Sequence, residues 1–355
     1  MKEQTSTVQK TKSDVIDVAF GVPAYMQEYW DFIQKMFPND SVAKLNQGMN
    51  YGHAVPQEGL VSAIKKLHAH AGNAETKDYT VVVGVGASQM ISAAGYALST
   101  VGLKQVLVKP PYWGRIPLLL NMGANMAGQQ DNIARESISD PAAWVYFATS
   151  PNNPDGKDQD PAGKMSVVDM CYAWPQYQAC YKKSHDVMIF GLSKATGHAG
   201  VRVGWALVKD EKFAALMKSY VEQSTCGVPE DSQSHATRVI ESVLMAPKKT
   251  MPDCFSFGKD KLKKRWTQFI GAAEKCKDFK VLNKTGMFAW CESRLDIFYG
   301  IDEAMELMYG LKVSPSINLG LDYSAKNFRI NLGCSDANFA AMIKALNNGS
   351  KITKT

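Results

Sequence analysis

A lysine amine stripped of water can attack an aldehyde and form an imine, and Leu192–Trp205 (LSKATGHAGVRVGW) offers such a residue in Lys194. Gly197 and Gly200 follow it and let the backbone pass close to a bulky ring, while Arg202 supplies a fork for a phosphate. Taken alone, a lysine among glycines is a solvated loop. Its weight comes from other stretches that match the same chemistry. Val83–Gln89 (VGVGASQ) runs from strand to glycine turn to helix start, so the free N–H groups around Ala87 and the Ser88 hydroxyl can cradle a phosphate. Tight packing alone also explains such a turn. Pro110–Arg115 (PPYWGR) sets two aromatics at a strand end, for stacking on a flat heterocycle or for the core. Ser150–Gly156 (SPNNPDG) is a turn by composition, and its Asn153 can donate to a phenolate oxygen.

Asp169, in Val167–Trp174 (VVDMCYAW), ends an apolar run, where a carboxylate is costly unless it meets a cation. A protonated pyridine nitrogen is one such partner; capping a helix is the competing role. Tyr172, three residues on, can share the phenolate with Asn153. Arg329, inside the apolar stretch Asn327–Leu332 (NFRINL), suits a two-pronged clamp on a substrate carboxylate, or pairs with a structural one. His53 and His198 read as structural, and His68, His70, His185 and His235 form no metal pattern.

These residues need a large scaffold. A chain of 355 residues exceeds one ordinary core, so a large and a small domain are expected. With 45% hydrophobic and 21% charged residues the composition is that of a globular protein. The net charge of +6 is modest, and the run Lys261–Arg265 (KLKKR) reads as one solvated helix face rather than a nucleic-acid patch. Seven scattered cysteines, never in a CxxC pair, give neither a metal site nor a disulfide framework. The polar start, Met1–Ser13, lacks the apolar core of a signal peptide, and no stretch approaches the ~20 apolar residues of a membrane span. A reduced, cytoplasmic protein is expected, with no membrane or nucleic-acid partner.

From about Tyr79 short β-branched runs alternate with helical stretches. Strands are expected at Val81–Val85, Gln105–Lys109, Ala143–Thr149, Ser166–Asp169, Asp186–Phe190 and Val203–Val208, with a helix at Ser88–Ser99. Strands apolar throughout imply a mostly parallel sheet buried on both faces, and functional groups then belong at the strands' carboxyl ends. After Met251 come a long helix, Lys259–Cys276, strands at Lys280–Leu282 and Met287–Glu292, a helix Asp302–Leu311, a strand Asn327–Leu332 and a last helix Asp336–Asn347. That order suits a smaller α+β domain. The expected division is a tail 1–13, a segment 14–55 packing with the small domain, a large cofactor domain 56–248 and a small domain 249–355.

Lys194 in SKATGHAGVRVGW, Asn153 in SPNNPDG, and Asp169 with Tyr172 in DMCYAWPQY occur in the order that resembles fold-type I pyridoxal-phosphate (PLP) enzymes. The match is closest to the plant alliinase and tryptophan aminotransferase-related group. Gly21–Trp30 (GVPAYMQEYW) and Ser224–Gln233 (STCGVPEDSQ) resemble further stretches of that group, and the likeness runs from about Asp17 to Ala345. The resemblance implies that Lys194 holds PLP as a Schiff base and moves protons, and that Asp169 pairs with the pyridine nitrogen. Tyr172 and Asn153 would contact the phenolic oxygen and Trp113 would stack on the ring. Ala87, Ser88, Ser193 and Arg202 would hold the phosphate. Tyr51 would reach the neighbouring subunit's phosphate, making the active unit a homodimer, and Gly21 and Arg329 would border the substrate carboxylate. Two features depart from the group: Gly191 stands where Ser or Thr is usual, and the Cys-rich module of plant alliinases is absent. The expected reaction is transamination between an L-amino acid and a 2-oxo acid. An aromatic donor such as tryptophan is favoured by family analogy and by the aromatic segment Tyr25, Tyr29, Trp30. A C–S lyase on cysteine derivatives is the alternative enzyme, and a protein that only binds or regulates is the non-enzymatic one.

Overall fold

The computed structural model describes residues 15–19, 21, 23–36, 55–103, 105–128, 132–134, 144–161, 163–245, 253–295, 300–322 and 325–350. The tail 1–13, Tyr51 and His53 lie outside the described residues.

The chain opens with a two-residue strand β1 (Ile16–Asp17), a 3-10 turn and helix α1 (Gln27–Met36). The large lobe follows. Helix α2 (Glu58–Ala71) carries buried Leu60, Ala63, Ile64, Leu67 and Ala71 at helical spacing, so one stripe faces inward. Next come β2 (Thr80–Val85), α3 (Gly86–Thr100), β3 (Gln105–Leu107), α4 (Ile116–Met126), β4 (Asn132–Ala134), β5 (Val145–Thr149), β6 (Met165–Asp169), β7 (Val187–Gly191) and the single-turn α5 (Leu192–Ala195). The lobe closes with β8 (Val203–Val208), α6 (Glu211–Thr225) and α7 (Glu230–Leu244).

One seven-stranded sheet forms the centre, in the order β2-β8-β7-β6-β5-β3-β4. Strand β8 runs antiparallel to both β2 and β7, and the other pairings are parallel. The reversal has a simple cause: residues 192–202, which join β7 to β8, are fewer than the dozen or so that a parallel crossover needs. Both sheet faces are apolar. Val81, Val83, Met188, Phe190 and Trp205 join one core cluster, while Val82, Val187, Ile189 and Ala206 join the other. That two-sided burial is what the unbroken apolar runs require.

The small lobe contains α8 (Cys254–Lys275), β9 (Phe279–Val281), β10 (Phe288–Ser293), α9 (Ile301–Tyr309), β11 (Leu311–Lys312), β12 (Ser314–Pro315), β13 (Asn327–Asn331) and α10 (Asp336–Asn348). Its antiparallel sheet has the order β12-β13-β10-β9. The N-terminal segment is tied to this lobe: β1 pairs with β11, and the Asn331 amide donates to Val18 O at 2.7 Å.

Two expectations change here. Helix α8 begins at Cys254 because Asp253 caps it, accepting from the Ser256 amide at 2.8 Å. The run 261–265 is also not one solvated face. Lys263 and Lys264 are exposed, but Arg265 is buried and donates to Leu332 O, Cys334 O and Asp336, and Lys261 bridges Glu28 and Asp336. Positions 261 and 265 share a helix face turned toward α10 and the N-terminal segment, which charge composition alone does not reveal.

Candidate active site

Asn153, Asp169 and Lys194 stand at or just past the carboxyl ends of β5, β6 and β7, and the N-terminal segment and small lobe reach them through Gly21 and Arg329. One end of the site is made of backbone. Three glycines lie in register across three strands: Gly84 opposite Gly204, and Gly204 opposite Gly191. The first turn of α3 settles on this row. A Cβ on Gly204 would stand 2.3 Å from the Ala87 amide nitrogen, so no side chain fits there. Gly86 holds φ +78°, and a Cβ on it would stand 2.4 Å from Arg202 Nη2. Gly86, the first residue of α3, thus lies against the Arg202 guanidinium, and Ala87 and Ser88 follow it in the same turn. Val85 leaves the helix without a side-chain cap, and Arg202 is exposed and itself holds a left-handed φ of +56°. The Val85 amide donates to Gln89 Oε1 at 2.6 Å, and a helix start beside an arginine is suited to an anion such as a phosphate. Ser193, half-buried in α5, follows the end of β7 on which Gly191 sits.

The centre of the site is Lys194. Its Nζ donates to Gly21 O, and burial lowers its amine to about 8, opposed by Cys171 and Asp169 and aided by Arg329 and Arg202. A larger share of free amine at neutral pH is what imine formation requires. Asp169 ends β6, and burial raises its carboxyl. Its Oδ1 accepts from the Cys171 amide at 3.0 Å, and no helix begins in the turns that follow, so it does not act as a helix cap. Among the described residues no ion pair engages it, which leaves this buried carboxylate suited to a cationic ring nitrogen. Tyr172 is buried, and Asn153 Nδ2 donates to its hydroxyl at 3.2 Å. Of the two aromatics at 112–113, Tyr112 is core and closes on Gly320, while Trp113 is half-buried.

The other end is made of side chains brought from distant segments. Arg329 Nη1 donates to Asn153 Oδ1 at 2.7 Å, and Nη2 donates to Ala19 O at 2.7 Å and to Ser314 Oγ at 3.2 Å. Its guanidinium lies 4.1 Å from the Phe288 ring centroid, and burial lowers it to about 10. Its Nε is buried with no partner among the described residues. All its described acceptors are neutral, so the structural-carboxylate role does not hold. A buried cation with a spare donor suits a ligand carboxylate. Gly21 lies beside this group, since a Cβ there would stand 3.2 Å from the Phe288 ring and 3.8 Å from Arg329 Nη2.

Other sequence expectations fail or shift. Gly197 makes room for the N-terminal segment, because a Cβ there would meet Met26 at 3.2 Å, and a Cβ on Gly200 would have no protein neighbour within 4 Å. Tyr25 and Tyr29 are buried in the core, and Trp30 donates to Thr196 O at 2.7 Å, so this aromatic segment packs the chain instead of lining a substrate pocket. His198 is held by Thr196 Oγ1 at 2.9 Å and packs edge-on against Trp30, in keeping with a structural role. His68 is fully buried between Trp205 Nε1 and Asn73 Oδ1, and burial lowers it to about 4. Ser314, Phe288, Gln176 and Tyr177 escaped the sequence reading, since nothing in their local pattern separates them from ordinary core residues. Among the described residues no His, Cys, Asp and Glu cluster could hold a metal ion, no helix is long and apolar enough to cross a membrane, and all seven cysteines are free.

The fold defines the class: the fold-type I architecture of PLP-dependent enzymes, α/β with a mostly parallel sheet and a smaller α+β lobe. Solved aminotransferases share the architecture at low identity. An aromatic aminotransferase from Pyrococcus horikoshii superposes with a TM-score of 0.71 at 14% identity, over 96% of each chain. An Escherichia coli protein with a methionine aminotransferase function superposes at 0.69 and 13%, over 94% of each chain. The family model for allinase matches residues 16–348, and the chain belongs to that PLP-dependent family. It is 33% identical to tryptophan aminotransferase-related protein 2 of Arabidopsis thaliana, over 78% of this chain and 66% of the relative. Identity to alliin lyase 1 of Allium sativum is 30%, over 76% of this chain and 59% of the relative. The alignments span between about half and two thirds of the length of these curated relatives.

Proposed function

We propose that the chain is an aminotransferase that moves the amino group of an L-amino acid to a 2-oxo acid, with an aromatic donor such as tryptophan favoured by the names of its relatives. The observation that carries the amino-acid part is a convergence. Lys194 Nζ and Arg329 Nη2 reach carbonyls of the same segment, Gly21 O and Ala19 O. Gly21 touches both, since its carbonyl accepts from Lys194 Nζ and a Cβ on it would stand 3.8 Å from Arg329 Nη2. An amine and a carboxylate clamp therefore flank one residue.

Bound PLP supplies an electron-accepting ring that acidifies the substrate's Cα proton. In this reading Lys194 Nζ would take up and return that proton, a general acid–base role suited to its lowered amine. Asp169 would hold the ring nitrogen's positive charge, and Tyr172 and Asn153 would contact the phenolic oxygen. Trp113 would stack on the ring, while Ala87, Ser88, Ser193 and Arg202 would hold the phosphate. Arg329 would bind the α-carboxylate, and Phe288 would shield that ion pair from water. Residues 56–248 form the cofactor domain and 249–355 the small one, with 14–55 packed on it. A homodimer with Tyr51 crossing the interface, and a reducing cytoplasmic setting, complete the proposal.

The C–S lyase reading rests on the alliin lyases among the relatives, because the same lysine and arginine serve both reactions. One experiment separates them. Mixed with L-tryptophan and no oxo acid, the enzyme should lose its yellow absorbance, and pyruvate or 2-oxoglutarate should restore it. Steady pyruvate release from S-alkyl-cysteine sulfoxide, indifferent to oxo acids, would replace the aminotransferase with the lyase.

A further inference from the structure

Lys194 sits in a helix of one turn, Leu192–Ala195, which is too short to be stable by itself. What holds it comes from another loop. Tyr177 Oη donates to Lys194 O at 2.9 Å, and Gln176 Nε2 donates to Ala195 O at 2.9 Å and to Lys194 O at 3.2 Å. Both side chains are buried, at 3% and 5% exposure for Gln176 and Tyr177. They belong to the loop that leaves β6 after Asp169, and that loop is itself fixed. The Ala173, Trp174 and Tyr177 amides donate to Met170 O, Tyr172 O and Trp174 O within it. Asn73 Nδ2 donates to Ala173 O, and Trp174 is fully buried. The Tyr177 ring also meets the Tyr172 ring edge-on, with centroids 6.1 Å apart.

One braced loop therefore leads from Asp169 through Tyr172 and grips the lysine's main chain. We propose that Gln176 and Tyr177 are positioning residues that fix the Lys194 backbone against the Asp169–Tyr172 loop, so that only the lysine side chain moves during turnover. This rests on the reading of Lys194 as the reacting lysine. The competing explanation is that the two residues merely satisfy buried carbonyls and contribute stability alone.

Tyr177→Phe removes one hydroxyl and keeps the ring, and Gln176→Leu keeps most of the volume without the donor. The double variant should lower kcat about tenfold, the scale of one or two lost hydrogen bonds, while KM and PLP affinity stay within about twofold. A second readout needs no turnover: the pH midpoint of Lys194 labelling by an amine reagent in cofactor-free protein, read by mass spectrometry. The groups facing this amine are Asp169 and Cys171 from the β6 side, Arg329 from β13, and Arg202 ahead of β8. In wild type the midpoint should lie near 8, and in the double variant it should rise as the loosened turn admits water. Unchanged kcat and midpoint with only a lower Tm would overturn the proposal. Borohydride reduction of the wild-type PLP complex is the control. Failure to trap PLP on Lys194 would sink the functional reading, while the labelling midpoint would still judge the clamp.

Discussion

The two ends of the site are built in different ways. At the end proposed for the phosphate, the shape is set by backbone and by missing side chains: Gly84, Gly204 and Gly191 form a row, and α3 lies down on it. At the carboxylate end, Arg329 is held by acceptors from three other places in the chain, at Ala19, Asn153 and Ser314. The first end is made within one lobe. The second exists only when the N-terminal segment, the β5 loop and the small lobe are all in place. A packed backbone end should fail by added volume, and a side-chain end should fail by lost donors. Lys194 stands between the two and reports on both.

The largest effect is therefore expected at the junction. Lys194→Ala should lower turnover by roughly 10²–10⁴, the usual contribution of a positioned acid–base group, and abolish the lysine-dependent yellow absorbance. A variant with unchanged spectrum and turnover would remove Lys194 from the centre of the site. The next two changes set the ends against each other. Arg329→Lys keeps the charge but not the fork, so kcat/KM should fall at least about tenfold for both amino and oxo substrates, with PLP affinity preserved. A change confined to Tm would return Arg329 to a packing role. Gly204→Ala should do the opposite. Its Cβ would stand 2.3 Å from backbone atoms of Gly86 and Ala87, which overpacks the sheet by about 1–3 kcal/mol and weakens PLP binding. Calorimetry and cofactor titration check both effects, and wild-type values for both would mean the helix start does not rest on that glycine.

The smallest effect should come from Gly191→Ser. The nearest atoms to a Cβ at this position would be Ala87 Cβ at 3.4 Å, the Ala87 amide nitrogen at 3.7 Å and Cys171 Sγ at 3.9 Å, all ordinary contacts. A serine there fits and brings a hydroxyl to the helix start, so PLP affinity should rise by a few-fold, on the scale of one hydrogen bond. Weaker binding, measured by equilibrium dialysis, would show that the space is already committed.

Much of the large lobe was legible because both faces of its sheet are apolar. Val203–Val208 was read with its observed bounds, and Val81–Val85, Ser166–Asp169 and Asp186–Phe190 lie within a residue of theirs at each end. Short-range composition sufficed where burial is uniform. It misled where a residue's partner is remote. Tyr25 and Tyr29 are aromatic and near a glycine motif, yet α8 and the core cover them. Arg265 sits in a basic run, yet its guanidinium closes on carbonyls of residues 332 and 334.

The sequence by itself determined the alternation of strands and helices and the order Asn153, Asp169, Lys194, Arg202. It also carried the likeness to PLP enzymes, because these are properties of neighbouring residues and survive without a partner. Only the tertiary structure decided that three glycines stand in one row, and that Arg329 meets Asn153 and Ala19. It alone shows that Gln176 and Tyr177 grip the lysine's turn. Those facts depend on strand register and on hydrogen bonds between residues as far as 310 positions apart, which no local pattern encodes.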